Sequence, residues 1–428
     1  MSPCTLRHVA RRTLPSMLFP LALASIAPAD AATRTWPGTA PCATTLQACI
    51  AGADAGDVVE VASDGPINES LEIFGKSLTL RAAAGFSPVL QAGQSTDVID
   101  AFGANTQVAI VIEGLTVRDG TITAYQGGSG AFGVTIRNNV VEAGGLDANF
   151  TAIRVTTFGA TPTGPVNVAI VDNDIRLGFL GGDDIGAIGI EDLPGPTIAT
   201  IERNTVGDGG PSSTYGAIRA RNVAGVADLL LRNNRIAAAG YNGGIVLVQD
   251  GAGGTLDARV LNNLVTGAID FTGPQPGGVS LLASAGTLHA DVFGNTLVGN
   301  DTGFIASKGA GASLTGTLAN TLVADNASRG VIIGAAAGAD FANEHDLVFG
   351  NGTDDFTPGT GTVQADPSFV GAGDFHLRSD SPARDAGNSA FTTDIPVDLD
   401  GAQRVVGAAV DIGAWEVGDA IFANGFEA

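Results

Sequence analysis

The sequence predicts an all-β chain wound as a right-handed parallel β-helix, a solenoid of roughly ten coils with an N-terminal helical cap and an irregular C-terminal region. Three observations carry this expectation. First, the 428 residues include 61 Gly but only two Lys, Lys76 and Lys308. Helical surfaces want Lys, Leu and Glu and little Gly. Second, an apolar alternation ending in Asn, one residue, then Val, Ile or Leu recurs at Asn139, Asn173, Asn204, Asn234, Asn263, Asn295 and Asn320. Counted from Leu115, an earlier copy without the Asn, the spacings are 24, 34, 31, 30, 29, 32 and 25. Third, a small residue followed by a branched or aromatic one recurs between those copies, at Ile153, Ile188, Ile218, Ile245, Val279, Phe304 and Val331. Self-similarity at such a period marks a solenoid, and the period-two alternation within each copy marks strands.

In chain order, the first segment is an address. Arg7, Arg11 and Arg12 precede 17 uncharged residues, and Ala29-Asp30-Ala31 offers small residues where a signal peptidase reads. Residues 1–31 therefore look like a secretory leader. No later stretch is apolar enough to span a bilayer. Residues 32–56 form the cap, with an amphipathic helix expected over 44–55. Cys42 and Cys49 are an even pair in an exported chain, so a local disulfide is expected there. Coils are expected over 57–352, opening with the strands DVVEV and SLTLR. Each coil stacks on the next at about 4.8 Å. Asn suits the bend because it tolerates left-handed backbone, and its amide can bond the Asn above and below.

From marker to next Asn the distance is 16–20 residues, whereas from Asn to marker it ranges from 9 to 16. Elastic segments of a solenoid collect on one face, and that face usually binds. Here they carry Asp183 and Asp184 in LGGDDIG, with Tyr241 in a later one. Phe150 and Tyr215 each lie three residues before a marker Ile. If Ile153, Ile188 and Ile218 point inward, Arg154 and Arg219 point out, with Glu191 and Arg221 further along the same strands. Hydrolysis of a glycan needs two carboxylates facing the scissile bond, which Asp183, Asp184 and Glu191 can provide. Lyases on this scaffold need a cation to neutralise a uronate and a base, and Arg219 would be a costly base. Phe150, Tyr215 and Tyr241 are candidates for stacking on sugar rings, with Arg154 and Arg221 as binding partners. The competing account of the same residues is a cross-strand ion ladder that keeps an exposed sheet soluble.

From Ala365 the period stops. ADPSFVGAGDFHLRSDSPARDAG and DLDGAQRVVGAAVDIGAWE carry Asp366-Pro367, Phe369, Asp374-Phe375, Leu377, Ser381-Pro382-Ala383, Gly387, Asp398, Asp400-Gly401, Arg404 and Asp411 through Glu416. This run resembles the C-terminal region of the bacterial choice-of-anchor Q proteins, and the coils upstream fit the same family's β-helix, a pectate-lyase-like scaffold. The resemblance implies an exported, often surface-associated bacterial protein, and no single activity. It assigns 353–418 to that region, leaving 419–428 as a terminal tail. Asp398-Leu399-Asp400-Gly401 reads as a structural turn in which Asp400 pairs with Arg404. A calcium loop is the weaker alternative, because Pro396 and Gly407 occupy positions where an EF-hand places acids. Trp415 is expected to pack on the last coil.

A net charge of −23 argues against nucleic acid or anionic membrane as partners. The three histidines after the leader lack ligand spacing. The sequence thus reads as a secreted or cell-surface β-helix, expected to be monomeric, that binds an extended polysaccharide along its loop face, with cleavage left open. No cofactor is expected, calcium staying an unproven option. The alternative is a non-catalytic surface or adhesion module.

Overall fold

The protein is described by a computed structural model over residues 31–418, leaving out 93–96, 144–150, 158–162, 178–185, 208–215, 223, 270–276 and 334–339. Residues 1–30 of the expected 1–31 leader, and the expected tail 419–428, lie outside the described residues. Three long parallel sheets, of twelve, ten and eleven strands among the described residues, stack side by side as a right-handed parallel β-helix. Strands visit the sheets in a fixed rotation, so each strand pairs with its counterpart one coil later. The ten-stranded sheet defines ten complete coils.

Period-two alternation builds the core. The register places Ile112, Ile136, Ile170, Ile201, Leu231, Val260, Val292 and Leu318 in one inward column. None of the eight is more than 1% exposed. Burying each aliphatic side chain contributes about 1.5–3 kcal/mol, and column on column this replaces a central globular core.

The asparagine corner lies between the twelve- and eleven-stranded sheets. Asn173 Oδ1 accepts from both the backbone N and the Nδ2 of Asn139, at 3.1 Å each. Asn139 Nδ2 also donates to Ile112 O at 3.0 Å. The same pattern repeats through Asn204, Asn234, Asn263 and Asn295, all nearly fully buried. Asn320 departs from the expected ladder. The next rung is Thr321, whose hydroxyl accepts from Asn295 N at 3.4 Å, and Asp346 follows by accepting from Thr321 N at 2.9 Å. Asn320 sits one residue earlier, at the left-handed position also held by Asn138, Asp172, Arg203, Asn233 and Asn262. The rung residue itself is therefore not the left-handed one; the residue before it takes the strained backbone. A second ladder, Asn300–Asn326–Asn351, runs along the next corner at 2.8–3.0 Å.

The cap holds a strand as well as a helix. Thr33–Trp36 pairs parallel with Val58–Val61, ahead of the first coil. The helix is shorter than its amphipathic pattern suggests, Leu46–Gly52 with Thr45 as N-cap. Glu69 accepts from Leu46 N and Gln47 N at its start, and Lys76 Nζ donates to Ile50 O, Ala51 O and Ala53 O at its end. An acid and a cation thus complement the helix dipole at opposite ends. A disulfide joins Cys42 to Cys49.

The C-terminal region folds back along the asparagine corner as a strap. Asn320 and Asn388 exchange two bonds at 2.9 and 2.7 Å. Ala414 N donates to Thr296 Oγ1, while Arg232 and Arg259 reach Asp394. Two expectations are corrected here. Asp400 pairs with Arg235 at 2.5 Å and His376 at 2.7 Å, and Arg404 instead pairs with Glu416 inside the strap. Arg404 is only 1% exposed, so its charge needs a partner buried with it. Trp415 rests beside Leu264 of the eighth coil, three strands short of the last in the eleven-stranded sheet, because the strap doubles back.

Candidate functional site

The outward face of the ten-stranded sheet carries four of the charged residues proposed from sequence. Its register aligns Glu72, Asp100, Thr123, Arg154, Gly189 and Arg219 in one row across the first six coils. A parallel row two residues on contains Phe74, Phe102 and Tyr125, and further along Glu191 beside Arg221. Past the sixth coil the first row continues as Val246, Ser280, Ile305 and Ile332, none more than 8% exposed. The accessible part of the face therefore lies over the earlier coils.

Four sequence-proposed residues come together there. Glu191 is buried and shared, with Oε2 at 2.9 Å from Arg154 Nη2 and Oε1 at 3.1 Å from Arg219 Nη1. Gly189 lies between those two arginines in the row, and a Cβ there would crowd Thr151 Cγ2 at 3.2 Å while meeting Glu191 Cδ at 3.7 Å. Arg221 lies between Asp192 at 3.2 Å and Asp250 at 2.8 Å. With both carboxylate oxygens committed to guanidinium groups, Glu191 is held as an ion-pair hub. Tyr241 is corrected: it is 0% exposed within the core at a corner where its backbone bridges toward Ile269, so it cannot stack on a ligand. Asp183, Asp184, Phe150 and Tyr215 lie outside the described residues.

The first three coils add a group that the Asn markers did not reach. Phe102 and Tyr125 stack at 4.9 Å between centroids and 15° between planes, and Phe74 tilts against Phe102 at 5.3 Å. Phe74 is 68% exposed. Beside them Asp97 accepts from the hydroxyls of Thr121 and Thr123 at 2.7 and 3.0 Å. Asp100 has a buried Oδ1 with no hydrogen-bond partner. Burial, with Asp97 and Glu72 nearby, pushes the Asp100 carboxyl up to about 7. Burial first, then Asp97 and Asp100, raises the Tyr125 phenol. The signal for this group was present as LEIF, DVIDAF and TITAYQ, each ending in a polar residue, one residue, then an aromatic. In TITAYQ the aromatic is followed by Gln126, which turns inward and is buried. Among the described residues no group of three or more His, Cys, Asp or Glu side chains converges as a metal site, and no helix is long and apolar enough to cross a membrane.

The fold and this face together define a right-handed parallel β-helix with an aromatic and ion-paired strip along one sheet. No family model and no curated protein matches the sequence. Among solved structures, the chain is similar to pectate lyase Pel9A at 11% identity and a TM-score of 0.49, covering 90% of this chain and 96% of that one. It is also similar to the PL6 family alginate lyase AlyGC at 14% identity and a TM-score of 0.39, covering 93% of this chain and 60% of that one.

Proposed function

We propose that this chain is an exported glycan-binding β-helix whose binding surface is the open face of the ten-stranded sheet. The observation that carries the reading is the Phe74–Phe102–Tyr125 stack, which runs along the solenoid axis into the Arg154–Glu191–Arg219 network. Rings stepping from coil to coil suit a polymer lying along the axis, because aromatic faces pack on the apolar faces of sugars while neighbouring charged groups bond the hydroxyls. Arg154, Arg219 and Arg221 serve as binding groups in this reading, with Glu191 positioning the first two. The C-terminal run that resembles the choice-of-anchor Q proteins supports a location at the cell surface, and the basic, apolar, small-residue leader supports export. Phe102→Ala with Tyr125→Ala should weaken binding of a retained polysaccharide about tenfold or more, read by affinity electrophoresis; unchanged retardation would remove the stack from the site.

A second reading, cleavage of the bound polymer, is favoured by Asp100. A carboxyl that exchanges its proton near neutral pH is matched to general acid or base work. New reducing ends, or absorbance from unsaturated products, would establish it, and Asp100→Asn should then abolish turnover. The non-catalytic adhesion module is the outcome if polymer binds and no product appears.

A further inference from the structure

We infer that the glycan taken by this face is uncharged, and that the face discriminates against polyuronates. The inference rests on the reading that the face binds glycan. It starts from the three guanidinium groups on the open strip. The cationic side chains that the strip offers a uronate carboxylate are Arg154, Arg219 and Arg221, and no Lys occurs between Lys76 and Lys308. Each of the three is already paired with a carboxylate of the chain at 2.8–3.1 Å. Glu191 is the decisive one. It is buried, engages two guanidinium groups at once, and belongs to the sheet, so an incoming uronate meets guanidinium charge already compensated by a fixed anion rather than a free cation.

The charge balance of the strip points the same way. Glu72 and Asp100 flank the aromatic stack, and among the described residues neither has a cation within ion-pair distance. A polyanion lying along the rings would carry its carboxylates past Glu72, and past Asp100 wherever that carboxyl is ionised. Like charges juxtaposed at an interface cost affinity and suppress wrong partners. Neutral hydroxyls meet no such barrier: they can donate to Glu72 and Asp100 and accept from the guanidinium N–H groups left over from the ion pairs. The whole chain, at −23, adds a field of the same sign.

The test is a set of matched hexasaccharides titrated into the full-length protein by calorimetry. Neutral β-glucan, mannan and N-acetylglucosamine oligomers are compared with galacturonate and mannuronate oligomers, at low and at raised salt, with chelator and with calcium. At least one neutral oligomer should bind with an affinity insensitive to salt. The uronates should bind about tenfold more weakly or worse, and improve as salt screens the repulsion. Glu72→Gln with Asp100→Asn should raise uronate affinity; should that variant fail to fold, the salt dependence of the unaltered protein decides alone. A uronate that binds more tightly than every neutral oligomer, with or without calcium, overturns the inference and leaves the glycan reading standing. If no oligomer of either kind binds, both fall.

Discussion

At the scale of single residues, the buried corner ladder sets the largest penalties. Asn234 Oδ1 accepts from Asn204 N and Nδ2, and Asn234 Nδ2 donates to Ile201 O and Asn263 Oδ1. Asn234→Leu should cost about 1–3 kcal/mol, because it orphans buried donors and acceptors on both neighbouring coils; denaturant titration measures it, and a loss near zero would contradict the ladder. Asp346 is the ladder's odd rung. It is fully buried, its Oδ2 lacks a hydrogen-bond partner among the described residues, and burial raises its carboxyl well above the usual range. A carboxyl whose folded value is raised contributes stability that is complete below the ordinary aspartate range. That contribution is lost as pH rises through the raised value, since the unfolded chain then ionises more readily. Asp346→Asn keeps the shape and removes the proton, so melting of this variant should fall less between acid and alkaline pH than melting of the unaltered protein. Parallel melting curves across that range would show that Asp346 does not titrate. Glu191→Gln should cost about 1–2 kcal/mol by leaving Arg154 and Arg219 short of their shared anion, a stability effect separable from any effect on glycan.

At the scale of elements, the cap helix depends on groups far from it in sequence. Lys76→Ala removes the ammonium that bonds the carbonyls of Ile50, Ala51 and the C-cap Ala53 and should expose the first coil to protease, with a loss of about 1–2 kcal/mol. Digestion unchanged in rate would mean the helix holds by packing alone. The same contrast between local and distant determinants explains what could be read from sequence. The coils were legible because inward Ile and Val alternate with outward residues and the Asn recurs at nearly one coil's length. Arg154, Glu191, Arg219 and Arg221 were placed on one face by the same alternation. Asn320 was misplaced because the left-handed residue and the rung are adjacent, and spacing alone cannot tell which of two neighbours turns inward. Tyr241 read as a surface aromatic because an elastic segment was taken to be outside throughout, whereas this one tucks its ring under the corner. The pairing of Arg404 with Glu416, rather than with Asp400, depended on a fold-back that no periodicity encodes.

At the scale of the whole molecule, the chain is a stack with an open first half and a strapped second half. In a bare solenoid each coil touches only its neighbours, so coils open one at a time from an end. The strap changes this over the later coils, where Arg232 and Arg235 of the seventh, Thr296 of the ninth and Asn320 of the tenth are all tied to one returning segment. Amide hydrogen exchange should therefore be graded coil by coil up to about residue 220 and uniform beyond it. Removing 353–418 should make the second half graded too; uniform exchange that survives the deletion would show that the strap adds no cooperativity. A consequence follows for the exported protein proposed above. Proteases and shear attack whichever coil frays first, so wear would begin at the amino end and stop near the middle, where the returning segment acts like the binding of a book whose early pages can be torn out while the later ones stay sewn.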